Sequence, residues 1–104
     1  MKYHNKFTLV GSIKFQSAKE AERYIILSDL QKKGYIDNLV LQKKFELIPK
    51  QKAERPVYYY ADFVYDDLRT GKTIVEDVKG MRTDVYKIKK KLMKFIHNID
   101  ITEI

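Results

Sequence analysis

Two aspartates sit where apolar strands have no need of them. Asp62 lies within Tyr58-Tyr59-Tyr60-Ala61-Asp62-Phe63-Val64-Tyr65, and Asp77 within Thr73-Ile74-Val75-Glu76-Asp77-Val78-Lys79-Gly80. Asp is depleted in strands, yet both runs are rich in Val, Ile, Tyr and Phe. They flank a polar segment containing Thr70-Gly71, which is a hairpin signature. With the turn centred on Arg69-Thr70, Leu68 faces Gly71 and Asp62 faces Asp77. With the turn on Thr70-Gly71, Asp62 is one diagonal step from Asp77. A half-step shift would instead put Asp62 on the opposite face; in the two favoured registers Asp62, Asp77 and Lys79 share one face and Glu76 takes the other, because strand side chains alternate. Directly opposed residues have Cβ atoms roughly 4.5–5.5 Å apart. Two carboxylates that close repel each other, and a divalent cation between them turns the pair favourable, since hard cations prefer oxygen ligands.

Stepping outward along the chain, the segment 7–15 reads as a short hairpin turning at Gly11-Ser12. Ser17 with Glu20 three residues later forms a capping-box pattern. Ala21, Tyr24, Ile25, Leu27 and Leu30 then recur at helical spacing, and Gly34 stops that helix after Lys32-Lys33. Ile36 to Ile48 reads as strand, with a bulge or bend near Gln42 to Lys44, where Lys43-Lys44 breaks the alternation. Pro49 to Pro56 is a basic connection carrying Lys50, Lys52 and Arg55. After the hairpin, Thr83 is an N-cap with Asp84 in the first turn. Val85, Ile88, Leu92, Phe95, Ile96 and Ile99 form an apolar stripe at helical spacing. Lys87, Lys90, Lys91 and Lys94 occupy the other face. Ile99 to Ile104 reads as a terminal strand. The order α-β-β-β-α-β implies an α/β fold, a mixed sheet flanked by helices, with the last helix and strand forming a crossover.

At 104 residues the chain is expected to form one domain, 1–104, with a modest core. It has no Cys, which excludes disulfides, thiolate metal sites and Cys nucleophiles. No apolar run approaches the ~20 residues of a membrane span, and the basic N-terminus lacks a signal core. An intracellular, cytoplasmic protein is the expectation. The net charge of +7 points to a polyanionic partner, most commonly nucleic acid. The two histidines, His4 and His97, lie far apart in sequence, which disfavours a His-based metal site or Ser-His triad.

These residues resemble the PD-(D/E)XK nuclease superfamily, which pairs an acid on a leading helix with an Asp on one hairpin strand and (Asp/Glu)-x-Lys on the next. The matching positions are Glu20, Asp62 and Asp77-Val78-Lys79. More narrowly, the chain resembles small phage-encoded, resolvase-like members of that class. The segments carrying this likeness are Phe15 to Glu20, Leu41-Gln42, Tyr60 to Phe63 and Val75 to Gly80 followed by Thr83. One departure is Ala61, which stands where the superfamily places Pro.

The resemblance implies a restriction-endonuclease-like core and a metal-dependent DNA endonuclease that hydrolyses phosphodiester bonds. Asp62, Asp77 and Glu20 would bind Mg²⁺, or Mn²⁺ in its place, and Lys79 would act on the attacking water or the phosphate. Glu22 lies near Glu20 and could supply the helix acid, while Glu20 could serve only as the cap. Arg82, Lys87, Lys90, Lys91 and Lys94 would contact DNA phosphates, with Lys50, Lys52 and Arg55 as weaker candidates. Apart from the resemblance, the tyrosine run Tyr58–Tyr60 could stack bases, but alternation turns Tyr59 and the Tyr58/Tyr60 pair opposite ways, which favours core packing of at least one face. By analogy the substrate would be branched, Holliday-junction-like DNA in phage recombination or replication, cut by a homodimer, in the host bacterial cytoplasm. The rival expectations are a non-catalytic nucleic-acid-binding protein on a nuclease fold and a small phage protein-interaction factor.

Overall fold

A computed structural model describes residues 8–78 and 82–104; Lys79 therefore lies outside the described residues. The fold is mixed α/β, with the expected element order preceded by a small hairpin. That hairpin is β1 (Thr8–Val10) and β2 (Ile13–Phe15), turning at Gly11, whose φ of 61° suits glycine. Helix α1 (Ala18–Lys32) starts where the sequence places it: Ser17 Oγ accepts the Glu20 N–H at 3.1 Å. It ends in a Schellman motif, with Tyr35 N–H bonding Leu30 C=O at 3.0 Å, Gly34 N–H bonding Gln31 C=O at 3.1 Å, and Gly34 at φ 83°.

Strands β3 (Ile36–Ile48), β4 (Val57–Asp67), β5 (Lys72–Asp77) and β6 (Thr102–Glu103) form one sheet in that order. The first three are antiparallel. After helix α2 (Asp84–His97), β6 joins β5 in parallel, pairing Glu76 with Thr102 and Asp77 with Glu103. In the β4–β5 hairpin, the Gly71 N–H bonds Asp67 C=O at 2.8 Å, and the ladder runs from Asp67↔Lys72 to Phe63↔Glu76. That is the register centred on Arg69-Thr70. The ladder ends at Phe63↔Glu76, one step short of Asp62 and Asp77, which the same register sets against each other.

The irregularity expected near Gln42 takes a different form from a bulge. Leu41↔Phe63 and Lys43↔Ala61 keep one register across it, while Gln42 adopts a left-handed backbone with φ 52°. Register shifts fall elsewhere, between Asp37 and Val40 and between Glu46 and Ile48. Alternation alone would keep odd-numbered side chains on one face. Here they exchange faces. Leu39, Leu41, Phe63 and Tyr65 pack with Ala21 and Leu27 of α1. Phe45, Leu47, Tyr59 and Ala61 pack with Tyr86 and Met93 of α2. Gln42 and Asp62 lie at the switch.

The helices are less buried than their apolar patterns suggest. In α1 Ala21 and Leu27 are buried, and Ile25 and Ile26 are exposed. In α2 the core face is Tyr86 and Met93, while Val85, Ile88, Ile96 and above all Phe95, at 83% exposure, face outward. Of the expected apolar stripe, Leu92 and Ile99 are half-buried against the core, and the other four residues face outward. Among the described residues, no helix is long and apolar enough to cross a membrane.

Candidate active site

A cleft of about 800 Å³ opens where β2, both helix starts and the β3–β4 switch meet. Glu20 of α1 and Asp62 of β4 line it together, joined by Gln42, Tyr59, Tyr60 and Val78. The caps of both helices, Ser17 and Thr83, line it as well. Helix N-termini carry partial positive charge and unsatisfied N–H groups, which suits an anionic group such as a phosphate. Lys14 and Lys89 also line the cleft.

Asp62 is 8% exposed and held at both oxygens. Its Oδ2 accepts the Val78 N–H at 2.7 Å, and its Oδ1 accepts Gln42 Nε2 at 3.0 Å. Asp77 is 1% exposed and, among the described residues, is not part of the cleft wall. Its Oδ2 accepts the hydroxyl of Tyr59, a cleft residue, at 2.6 Å. Burial, reinforced by Asp77, pushes the Tyr59 phenol well above its ordinary value. Glu20 keeps the capping position, with Ser17 Oγ 3.5 Å from its Oε1. The structure thus brings Glu20 and Asp62 to one cavity and places Asp77 behind Tyr59.

Glu76 takes the opposite face, as the alternation predicts. It is fully buried and accepts Arg23 Nε at 2.8 Å, Arg23 Nη2 at 2.6 Å and the Tyr65 hydroxyl. The bonds to Glu76 hold the Arg23 guanidinium above its usual range. This ion pair fastens α1 to β5, and so fixes the helix that presents Glu20.

Among the described residues, no group of three His, Cys, Asp or Glu side chains is arranged to hold a metal ion. Magnesium nevertheless is commonly bound through one or two carboxylates plus substrate phosphates, keeping several waters. Glu20 and Asp62 in one cleft supply two hard oxygen donors, so the donor set fits such an ion.

The cationic residues are distributed otherwise than the sequence suggests. Arg82 and Lys90 pair with Glu103, at 2.6 and 3.2 Å, and Lys94 pairs with Asp100 at 3.0 Å. Lys87, Lys90, Lys91 and Lys94 surround a second hollow beside Ile99 and Ile101, separate from the cleft lining. The lysines that line the cleft are Lys14 and Lys89, which the motif reading missed. Lys89 could have been found from its place one helical turn after Val85 and Tyr86. Nothing in its local sequence distinguishes Lys14.

No curated protein and no solved structure matches the chain. A family model described as "Protein of unknown function (DUF1064)" matches residues 1–102, and with nearly the whole chain covered, the protein belongs to the DUF1064 family.

Proposed function

We propose that the protein is a divalent-metal-dependent endodeoxyribonuclease of the PD-(D/E)XK type, working in the cleft shared by Glu20 and Asp62. The observation carrying this reading is the meeting of an α1 acid and a β4 acid in one cavity. A restriction-endonuclease-like core agrees with the order α-β-β-β-α-β and the parallel β5–β6 pairing.

Glu20 and Asp62 would hold Mg²⁺ or Mn²⁺, with Asp77 as the third acid. When bound, the ion supplies Lewis acidity toward a phosphate oxygen and lowers the pKa of water. The chain's own residues do the positioning. The two helix caps and Lys14 and Lys89 draw a phosphate into the cleft. The Val78 N–H and Gln42 hold the Asp62 carboxylate in one orientation. Tyr59 restrains Asp77. Lys79 follows Val78 directly, and its role is to orient the attacking water or stabilise charge on the phosphate.

A branched DNA substrate follows from the resemblance alone, and cutting both strands needs two copies. The outward apolar residues of α2, Ile88, Phe95 and Ile96, form a surface for a second copy to cover.

The test is incubation with supercoiled and four-way-junction DNA plus Mg²⁺ or Mn²⁺. Cleavage that disappears in Asp62→Asn and in Lys79→Ala supports the reading. Absence of cleavage with every metal overturns it. The second reading, nucleic-acid binding without cleavage, is favoured by the Tyr59–Asp77 hydrogen bond, which occupies an oxygen a metal would need. It predicts metal-independent binding and no cutting.

A further inference from the structure

Beyond the switch at Gln42 and Asp62, the β3–β4 hairpin has one face packed on α2 through Phe45, Leu47, Tyr59 and Ala61. Alternation sends the even-numbered side chains of that stretch to the opposite face. There Lys44 stands across from Tyr60 in the ladder, with Tyr58 two residues earlier on the same strand. Tyr60 is 50% exposed, and its ring lies 6.4 Å from that of Tyr58 at 67°. Lys44 Nζ sits 4.5 Å above the centre of the Tyr58 ring. Tyr60 and its β4 neighbour Asp62 both line the cleft. The sheet face thus runs from the cleft through Tyr60 to Tyr58 and Lys44, toward the basic connection carrying Lys50, Lys52 and Arg55.

We propose that this open hairpin face binds a single-stranded nucleic-acid segment leading into the cleft, with a base stacked on Tyr60 and the backbone phosphates met by Lys44 and the basic connection. Aromatic platforms interleaved with cations are how single strands are held irrespective of sequence, because every base has a π-face. A paired duplex keeps its bases stacked on one another and offers none to Tyr60. This deepens the nuclease reading by naming the form of substrate, and it stands on binding measured without metal, so either can fail alone.

The experiment is fluorescence anisotropy of labelled oligothymidine, oligouridine and a duplex of equal length, in EDTA. The proteins are the Asp62→Asn form and the same form carrying Tyr60→Ala, Tyr60→Phe or Lys44→Ala. Circular dichroism and thermal unfolding confirm that each is folded. Single strands are expected to bind more tightly than duplex, and Tyr60→Ala to weaken single-strand binding by roughly tenfold. Tyr60→Phe is expected to retain it, and Lys44→Ala to flatten its salt dependence. A preference for oligothymidine or oligouridine distinguishes DNA from RNA, and either supports the proposal. Unchanged binding in Tyr60→Ala, equal loss in Tyr60→Phe, or a preference for duplex overturns it. So does failure to bind any of the three, which would leave the face to a protein partner.

Discussion

The carboxylate of Asp62 accepts the backbone N–H of Val78 at 2.7 Å. Backbone pairing between β4 and β5 runs only to Phe63↔Glu76, so a side chain ties the strands together just beyond. The same bond fixes the chain immediately ahead of Lys79. Asp62 therefore has a structural role as well as a charge, and the two can be separated. Asparagine keeps an acceptor for Val78 and removes the charge, and Gln42 restores the second bond by turning its amide so that its oxygen accepts from the new Nδ2. Asp62→Asn should lose metal-dependent cleavage by on the order of a hundredfold or more, with stability changed by less than about 1 kcal/mol. Asp62→Ala should lose cleavage and also about 1–3 kcal/mol in urea unfolding. An Asn variant that cuts normally would remove Asp62 from the metal site.

Tyr59 restrains Asp77 from the cleft side through its 2.6 Å hydrogen bond. Tyr59→Phe should cost about 1–2 kcal/mol of stability, since it withdraws a donor from a buried carboxylate. If that hydrogen bond competes with metal, the variant should also reach half-maximal cleavage at lower Mg²⁺. A titration of activity against Mg²⁺ reads this directly.

The Arg23–Glu76 pair joins α1 to β5 through a fully buried carboxylate. Arg23→Met should destabilise the fold by about 3–5 kcal/mol, because it leaves the charge of Glu76 without its partner. The double variant Arg23→Met, Glu76→Leu should recover much of that loss. Equal losses in the single and double variants would show that the pair itself, and not the stranded charge, stabilises the fold.

Alkaline pH should unfold the protein through its buried phenols. Burial, first, and carboxylate hydrogen bonds, second, raise Tyr59, Tyr65 and Tyr86 above the ordinary 10.0. Their contribution is complete below pH 10, where folded and unfolded states both keep the protons. It falls above pH 10, where only the unfolded chain releases them. Ultraviolet titration should show Tyr59, Tyr65 and Tyr86 ionising only together with loss of the circular dichroism signal.

If two copies associate through α2, the exposed ring of Phe95 is the residue to charge. Phe95→Asp should leave the fold intact and convert a sedimenting dimer to a monomer. A wild-type monomer at micromolar concentration would remove this surface from the proposal.

The sequence by itself determined the elements. Helix caps at Ser17 and Thr83, the stop at Gly34 and the turn at Gly71 are local hydrogen-bonding and φ preferences, and each appears where the chain places it. Counting from the turn also gave, as one of two favoured registers, the ladder observed from Asp67↔Lys72 to Phe63↔Glu76, because strand alternation is a local property. Tertiary structure decided the rest. Lys43-Lys44 announced an irregularity, but its form, a left-handed backbone at Gln42 where the sheet's faces exchange, is set by the packing on the two helices. That exchange leaves Tyr60 open and Tyr59 buried against Asp77. The docking of α2 buries Tyr86 and Met93, leaves Ile88, Phe95 and Ile96 outside and brings Lys89, not Lys87 or Lys91, to the cleft. Periodicity gives a helix its stripe, but contact with a particular sheet face selects which part of it is covered.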